Sequence, residues 1–233
     1  WYTQYKIRRY GAHGTSHMYV NRRTAELMGQ DVNTLNMITC HLGNGASITA
    51  IKNGKCVNTS MGLTPLGGIM MGTRSGDIDP TVVFYMMKKL ECTPDEMDTF
   101  LNKRSGMLGV SGISSDARDI QQAVDAGNER AKLTVDLYTN RVINVVGGYY
   151  MQLGHVDAIA FTAGLGENDA QMRERILKDL EEGMGLSIDY ELNKTIHGKE
   201  CLISKPDSKI KVYVVPTNEE LVIARDTCRL LGL

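Results

Sequence analysis

The stretch MITCHLGNGASITAIKNGKCVNT, residues 37–59, predicts the start of a β-sheet. It contains three β-prone runs separated by two glycine-containing turns: Met37–Leu42, Ser47–Ile51 and Lys55–Thr59, with Gly43-Asn44-Gly45 and Asn53-Gly54 between them. Asn-Gly strongly favours a two-residue hairpin, because both central residues of such a turn adopt positive φ. We therefore predict a β-meander over this stretch.

The rest of the chain predicts helices followed by a β-α-β-α order. Asp79 is expected to cap a helix that begins at Pro80, and residues 128–153 have apolar residues at the spacing of a long buried helix. Two buried strands, VDAIAFT and KIKVYVVP, are each followed by a helical stretch, ENDAQMRERILKDL and NEELVIARDTCRLL. This order predicts an α/β protein with a mixed sheet and helices packed against it.

Composition and charge disfavour several classes of protein. The chain has 233 residues, of which 42% are hydrophobic, so it can bury a substantial core in one large domain or one and a half. A formal net charge of -1 disfavours nucleic-acid binding. Five cysteines without a C-x-x-C pair favour a reducing cytosol over a disulfide framework. No apolar run approaches the ~18 residues of a membrane span, and the polar start WYTQYKIRRYG is not a signal peptide.

The first turn of the meander has the properties of an anion-binding site. Gly43 and Gly45 lack a Cβ, so a ligand can approach the backbone N–H groups closely. Consecutive N–H groups in a tight turn form a concave site for anions. Asn44 adds a side-chain donor, and His41 precedes the turn. An ordinary hairpin preceded by a packed or surface histidine explains the same residues.

The segment YGAHGTSH contains a histidine pair spaced i, i+4. His13 and His17 would share a helix face, but Gly14 stands where the zinc motif H-E-x-x-H has glutamate. Zinc is therefore not expected. The alternative is a loop that leads into a helix capped by Thr15 or Ser16.

The segment MMGTRSGDIDP places an arginine on a glycine-flanked loop. Arg74 lies between Gly72 and Gly76, where a flexible loop would let its guanidinium reach a phosphate or carboxylate. A solvated arginine is the alternative. Asp77 and Asp79 resemble a metal-binding pair, although the proline that follows makes Asp79 a better helix cap than ligand.

Two later segments join a buried strand to a helix. In AFTAGLGEN, Gly164 and Gly166 suit a phosphate or nucleotide contact at a helix N-terminus, but the third glycine of the dinucleotide fingerprint is missing. In PTNEEL, Thr217 and Glu220 have the spacing of a capping box. Glu219 is then free to face a cleft, where it could approach a magnesium ion through water. A carboxylate that interacts with the helix dipole is the alternative.

Together and in this order, the motifs resemble those of the acetate kinase family. The resemblance is carried by RRYGAHGTSH, ITCHLGNGASITAIKNGK, TSMGLTPLGGIMMGTRSGDIDP, SSDARD, FTAGLGEN and TNEELVIAR. It extends from near Trp1 to Leu233 and covers the carboxy-terminal part of the family's sequence. We therefore expect this chain to be a fragment that lacks the family's first domain, which agrees with the absence of an initiator methionine.

The resemblance implies an actin-like, ribonuclease-H-like ATPase fold and a phosphotransferase with a carboxyl acceptor. The reaction would be magnesium-dependent, direct in-line phosphoryl transfer from ATP to acetate, giving acetyl phosphate and ADP. Residues 1–217 would form the second domain, and residues 218–233 a terminal helix that packs on the missing first domain. The resemblance also implies a cytoplasmic homodimer that assembles through this domain. Without the first domain the chain would be inactive or nearly so.

The resemblance also implies roles for individual residues. His13, Arg74, His41 and Asn44 would act on the transferring phosphoryl group. The nucleotide would be bound by two groups of residues: the turn with its flanks, His41, Leu42, Gly43, Asn44 and Gly45, and the adenosine pocket, Asp116, Ala117, Arg118, Gly164, Leu165, Gly166, Glu167 and Asn168. Ala12 and Pro65 would line the acyl pocket, and Glu219 would lie on the magnesium side.

Three positions depart from the family's usual pattern. The family often has an aromatic residue at the position of Ala12, so this chain would have a wider acyl pocket. One alternative to an acetate kinase is therefore a propionate or butyrate kinase. The other alternative is a nucleotide-binding and dimerisation module without catalysis. Ala163 replaces a frequent glycine and Gly67 a frequent glutamate, neither of which is assigned to chemistry.

Overall fold

The structure is a computed structural model that describes all 233 residues. The helices are α1 (Tyr2–Tyr5), α2 (Gly14–Met28), α3 (Pro80–Leu90), α4 (Pro94–Lys103), α5 (Gly106–Ser111), α6 (Ala117–Asp125), α7 (Glu129–Leu153), α8 (Ala163–Asn168), α9 (Ala170–Met184), α10 (Tyr190–Thr195) and α11 (Glu219–Leu231). The strands are β1 (Asn36–Leu42), β2 (Ala46–Lys52), β3 (Lys55–Thr59), β4 (Ala158–Thr162), β5 (Cys201–Leu202) and β6 (Lys211–Val214). None of the helices combines the length and apolar character that a membrane crossing requires.

The chain divides into two compact units. The first, which we call the helical unit, comprises Trp1–Gly11, Gly43–Ala46 and Ser60–Val142. The second, the sheet unit, comprises Ala12–Leu42, Ser47–Thr59 and Ile143–Leu233. Helix α7 begins in the helical unit and ends in the sheet unit.

The six strands form one mixed sheet in the order β3-β2-β1-β4-β6-β5. Strand β4 is parallel to β1 on one side and to β6 on the other, whereas the β2–β3 and β5–β6 pairs are antiparallel. The predicted meander and the predicted mixed sheet are confirmed. At the second turn Asn53 has φ 50° and Gly54 φ 72°, the positive values that the Asn-Gly signal predicts.

The core of the sheet unit lies between helix α2 and one face of the sheet. Met37, Ala160 and Tyr213 from three neighbouring strands are buried together with Val20 of α2. Side chains on a strand alternate between the two faces, so every second residue of β1 after Met37 also faces α2. Burial of an apolar side chain of this size stabilises the fold by about 1.5–3 kcal/mol. This packing sets the register between α2 and β1.

Two features of the helices correct the predictions. The long helix α7 is amphipathic rather than buried throughout, because Leu133 is 51% exposed and Met151 76% exposed. The terminal helix α11 is capped by Asn218, whose side chain accepts a hydrogen bond from the N–H of Leu221. The predicted capping box is wrong, since the Thr217 hydroxyl is hydrogen-bonded to Ser16 instead.

Helix α11 lies against α2 within the sheet unit and buries Val222 there. Leu221 is half-buried, and the remaining apolar residues are exposed, including Ile223 at 60% and Leu230 at 76%. That this exposed face packs on a further domain stays a prediction.

Candidate functional site

Three histidines of the sheet unit form a cluster. His13 precedes α2, His17 lies in its first turn, and His41 lies near the end of β1. The rings of His13 and His41 are stacked, with centroids 3.9 Å apart and planes 10° apart. The His17 ring is tilted, with its centroid 6.5 Å from that of His13 and 6.1 Å from that of His41. The structure thus brings together two predicted site residues and adds His17.

Buried hydroxyl groups bond to each of the three rings. The hydrogen bonds are His13 Nδ1 to Ser47 Oγ at 2.8 Å, His17 Nε2 to Ser47 Oγ at 2.8 Å, His17 Nδ1 to Thr39 Oγ1 at 2.7 Å, and His41 Nδ1 to Ser16 Oγ at 2.8 Å. Ser16, Thr39 and Ser47 are all fully buried. Buried polar groups need such partners, because water cannot replace them. The rings are therefore held in defined orientations.

Burial keeps two of these rings neutral. It lowers the pKa of His17 to about 3 and that of His41 to about 4, because an imidazolium loses its hydration there. Repulsion from the neighbouring rings lowers both pKa values further. A neutral imidazole has one N–H donor and one bare nitrogen acceptor, so both rings can donate without carrying charge at pH 7.

His13 has a strained backbone conformation. It is the N-cap of α2 with φ 58° and ψ 26°, in the left-handed region that non-glycine residues rarely occupy. Neither Thr15 nor Ser16 caps the helix as predicted, because both lie inside it, and the Ser16 hydroxyl bonds to His41. Strain of this kind is concentrated at functional sites, which supports a role for His13 beyond packing.

In the helical unit, the Gly43-Asn44-Gly45 turn is tied to the arginine segment. The N–H of Gly43 donates to Gly45 O at 3.2 Å, and the N–H of Gly72 donates to Asn44 O at 3.2 Å. A Cβ on Gly72 would overlap Asn44 Oδ1 and come within 3.1 Å of Ser115 O. Gly72 is therefore needed for the backbone to approach the turn. The Asn44 side chain stays exposed.

The segment that carries Arg74 is held in place rather than flexible, which corrects the prediction. The N–H of Met71 donates to Arg74 O at 3.1 Å, and the N–H of Ser105 donates to Thr73 O at 3.0 Å. Arg74 Nη1 donates to Pro65 O at 3.2 Å, so a predicted catalytic residue and a predicted pocket residue lie together. Arg74 forms no ion pair with a carboxylate, and its charge is available to an anion.

The two aspartates considered as a metal pair are structural. Asp77 Oδ1 accepts a hydrogen bond from the N–H of Gly68 at 2.8 Å. Asp79 caps α3 by accepting from the N–H of Thr81 at 2.8 Å, as predicted. Both carboxylates thus stabilise the glycine-rich segment and the helix that follows.

The Asp116–Arg118 segment forms the N-terminus of α6. The Asp116 side chain accepts from the N–H of Arg118 at 2.9 Å and from its guanidinium at 2.6 Å. These hydrogen bonds lower the pKa of Asp116 to about 2. Ala117 is buried, whereas the Arg118 side chain is 85% exposed. Asp116 is therefore committed to its helix, and Arg118 presents its outer donors to the solvent.

The segment Gly164–Asn168, expected to join a buried strand to a helix, lies within a short helix of its own, α8. The Glu167 carboxylate accepts from the N–H groups of Ala163 at 2.6 Å and Thr217 at 3.1 Å. It thereby joins the start of α8 to the residues before α11. Asn168 Nδ2 donates to Gly164 O at 3.1 Å, and Leu165 is half-buried. The carboxylate oxygens of Glu167 are thus hydrogen-bonded within the protein, and they stabilise the conformation of this segment.

Arg173 of α9, which the sequence did not indicate, anchors α8. It is fully buried, and Nη1 donates to Gly166 O at 3.0 Å. Its other donors bond to Asn193 Oδ1, Asn193 O and Ile196 O at 2.8, 3.1 and 2.9 Å. Every acceptor is neutral, and burial lowers the pKa of Arg173 to about 10. A buried charge held this way is costly, so Arg173 serves to position the segments that it joins.

Glu219 is the candidate metal ligand. It lies in the first turn of α11, is half-buried, and forms no hydrogen bond or ion pair. No group of three or more His, Cys, Asp or Glu side chains is arranged to hold a metal. Magnesium at nucleotide sites takes only one or two carboxylates together with phosphate oxygens and water. Glu219 fits that chemistry as a single ligand. Ala12, half-buried, precedes the histidine cluster in the chain.

A sequence profile of the Acetokinase family matches residues 1–225. This chain belongs to the acetokinase family. The acetate kinase of Dictyoglomus turgidum is 56% identical over 232 residues, which are 100% of this chain and 57% of that protein. This member of the acetokinase family therefore spans little more than half the length of the relatives it matches.

Solved structures of the acetokinase family have the same fold. The crystal structure of Porphyromonas gingivalis acetate kinase matches with a TM-score of 0.96 and 48% identity over 99% of this chain and 57% of that one. A propionate kinase from Francisella tularensis matches with a TM-score of 0.90 and 42% identity over 97% of this chain and 56% of that one. The predicted actin-like fold class, with a mixed sheet and flanking helices, is confirmed.

Proposed function

We propose that this chain forms the nucleotide-binding and phosphoryl-binding part of an acetate kinase, which transfers a phosphoryl group from ATP to acetate to give acetyl phosphate and ADP. The observation that carries the proposal is the 56% identity to an acetate kinase over the whole chain. A phosphoryl group in transfer spreads negative charge over its oxygens, so catalysis depends on positioning and electrostatic stabilisation. The chain supplies donors of that kind in both units.

We assign separate roles to these donors. Arg74, which has no carboxylate partner, would stabilise the charge of the transferring group with its fork of N–H groups. His13 would donate an N–H hydrogen bond to the same phosphoryl group, and His41, whose ring stacks on that of His13, would be a second donor. Asn44 and the amides of Gly43 and Gly45 would bind phosphate oxygens of the nucleotide. The acetate carboxylate attacks phosphorus directly, so no enzyme nucleophile is required.

The adenosine would be bound by residues 116–118 and 164–168. In this proposal Arg118 offers donors, whereas Asp116 and Glu167 keep the local backbone in shape, because their carboxylates are already hydrogen-bonded. Glu219 would hold a magnesium ion through water, and that ion would neutralise phosphate charge when bound. The five free cysteines suit the reducing cytoplasm, where we propose that the enzyme acts.

A second candidate is a kinase for a longer carboxylate. Two observations favour it: the match to a propionate kinase at 42% identity, and the small side chain of Ala12, which we assign to the acyl pocket. Measuring kcat/KM for acetate, propionate and butyrate separates the candidates. A strong preference for acetate would dispose of the second.

A third candidate is a module that binds nucleotide and assembles as a homodimer without catalysis. Because the chain covers 57% of its relative, we expect the chain by itself to bind ADP but to form acetyl phosphate slowly or not at all. Calorimetry with ADP and an assay of ATP-dependent acetyl phosphate formation test this expectation. Robust turnover by the chain alone would show that its catalytic parts are assigned wrongly.

The decisive experiment joins this chain to the part of the Dictyoglomus turgidum acetate kinase that it does not match. We expect the chimera to form acetyl phosphate, and the same chimera with Arg74→Ala to be nearly inactive. A folded chimera that binds ADP yet forms no more acetyl phosphate than its Arg74→Ala variant would refute the proposed function. Sedimentation of the chain alone tests the homodimer.

A further inference from the structure

We propose that Thr39, His17 and Ser47 are positioning residues that set the tautomer of His13, so that His13 carries its hydrogen on Nε2. The tautomer follows from the hydrogen bonds of the sheet unit. Its importance for phosphoryl transfer rests on the function proposed above.

The three residues form an unbroken chain of hydrogen bonds inside the protein. Thr39 Oγ1 lies 2.7 Å from His17 Nδ1, and Ser47 Oγ lies 2.8 Å from both His17 Nε2 and His13 Nδ1. Thr39 and Ser47 are fully buried, and His17 is 4% exposed. Water therefore cannot supply missing donors or acceptors along the chain.

The single hydrogen of the Ser47 hydroxyl couples the two rings. It can be donated to His13 Nδ1 or to His17 Nε2, and the other nitrogen must then donate to Ser47 Oγ. If His17 donates from Nε2, His13 Nδ1 is bare and its hydrogen lies on Nε2. If His13 donates from Nδ1, the hydrogen of His17 lies on Nδ1. Two neutral rings must therefore have the same tautomer.

Thr39 decides between the two arrangements. Its hydroxyl is buried on the sheet, and His17 is its hydrogen-bond partner. If His17 Nδ1 carried the hydrogen, the Thr39 hydroxyl hydrogen would be buried without an acceptor, which is strongly unfavourable. Thr39 therefore donates to His17 Nδ1, His17 Nε2 donates to Ser47, and Ser47 donates to His13 Nδ1. His13 is left with its hydrogen on Nε2.

The stacked partner ring has the same arrangement. The Thr217 hydroxyl donates to Ser16 Oγ at 2.8 Å, and Ser16 Oγ lies 2.8 Å from His41 Nδ1. Ser16 then donates to His41 Nδ1, which puts the His41 hydrogen on Nε2. Both stacked rings therefore have an Nε2 hydrogen. Such a pair suits a ligand oxygen that bears negative charge and no hydrogen.

The wild-type chain provides the first test. Long-range proton–nitrogen NMR correlations on ring-15N histidine report which nitrogen of each of the five rings carries hydrogen, and the exposed ring of His155 serves as an internal reference. We expect His13 and His17 to be Nε2–H tautomers at pH 7.5. An Nδ1–H form of either ring, or different tautomers for the two, would overturn the proposal.

Two substitutions test the direction in which the hydrogen bonds are donated, from Thr39 through His17 and Ser47 to His13. Thr39→Val removes the first donor, so we expect both His17 and His13 to become tautomer mixtures. Ser47→Ala breaks only the last step, so His17 should keep its Nε2 hydrogen while His13 becomes mixed. Thr49→Val is the matched control, because Thr49 is buried on β2 and bonds to Thr59. A mixed His13 in the control, or an unchanged His13 in Ser47→Ala, contradicts the proposal.

The activity of the chimera tests whether the His13 tautomer matters for phosphoryl transfer. Ser47→Ala should lower kcat roughly 10- to 100-fold, as a misplaced catalytic group does, with KM for ATP nearly unchanged. An unchanged kcat beside a mixed His13 tautomer would refute the role of the tautomer in phosphoryl transfer. An unmodified chimera without turnover would instead count against the proposed function, and the NMR result would still decide the tautomer.

Discussion

His13 stacks on His41 with ring planes only 10° apart, and this contact joins the N-cap of α2 to strand β1. Stacked imidazoles that both carried charge would repel each other at this distance. Burial of His41 and repulsion from His13 keep the His41 ring neutral, which links the stability of the sheet unit to pH.

We expect stability to fall between pH 7.5 and pH 5.5. The pKa values of His17 and His41 are about 3 and about 4 in the folded chain, below the ordinary value of 6.5. The unfolded chain therefore binds protons that the folded chain does not, and stability is lost as the pH falls through 6.5 towards the folded values. The loss should be about 1 kcal/mol for each histidine over this range, measured by urea unfolding.

The variants His41→Gln and His155→Gln separate this effect from other titrations. His41→Gln should remove about half of the pH-dependent loss. His155→Gln changes a side chain that is 71% exposed and serves as the control, which should keep the pH-dependent loss. Equal pH dependence in wild type and His41→Gln would show that the buried ring is not responsible.

Arg74→Ala in the active chimera should lower kcat by roughly a thousandfold or more, because it removes donors from the transferring phosphoryl group. Arg74 makes no ion pair, so the melting temperature should change little. Arg74→Lys keeps the charge but loses the paired donors of the guanidinium, so its kcat should stay well below that of wild type. Arg104→Ala is the control, since Arg104 lies over the Phe100 ring in the same unit. A kcat close to wild type would remove Arg74 from the site.

Arg173→Lys should destabilise the chain by about 2–3 kcal/mol, and Arg173→Met by at least about 3 kcal/mol, because buried carbonyl acceptors lose their donors. Lysine has too few donors, in the wrong geometry, to bond Gly166 O and all three acceptors at Asn193 and Ile196. Urea unfolding measures both variants. The exposed Lys178 is the control, and Lys178→Met should change stability by less than ~0.5 kcal/mol. Similar values for both sites would contradict the anchoring role.

Gly72→Ala should weaken ADP binding, because the new methyl group occupies the position of Asn44 Oδ1 and pushes that side chain away from the turn. We expect a loss of roughly tenfold, or about 1.4 kcal/mol, by calorimetry. Gly147→Ala adds a methyl group in α7 with no atom within 4 Å of it and should leave binding intact. Unchanged affinity in Gly72→Ala would exclude Asn44 from the nucleotide site.

Ala163→Gly should stabilise the chain by about 0.5–1 kcal/mol. Ala163 has φ 65°, which is strained for a residue with a Cβ, and the relief exceeds the entropy that glycine loses on folding. The same change at the exposed helical residue Ala224 should destabilise by about 1 kcal/mol. If both variants lose stability, the left-handed conformation of Ala163 is not strained.

Local signals determined much of the fold. The Asn53-Gly54 turn and the alternating runs around it specify the meander, and Asp79 before Pro80 specifies the start of α3, because turns and caps depend on neighbouring residues. The motifs also identified the family and the segments that carry candidate site residues. The predicted Thr217 capping box is wrong because the Thr217 hydroxyl bonds to the distant Ser16, and Asn218 caps the helix instead.

Tertiary structure alone decided the surroundings of those residues. Nothing near Ser47 or Thr39 in the sequence indicates that their hydroxyls meet His17, because that contact depends on the register between α2 and β1. The environment of Arg173 likewise depends on carbonyl groups that only packing brings within reach. The sequence by itself determined which groups are present and the local turns that display them. Long-range packing determined which nitrogen of each ring carries the hydrogen and which charged side chains have no ion-pair partner. The reason is that a buried group can bond only to the groups that folding places beside it.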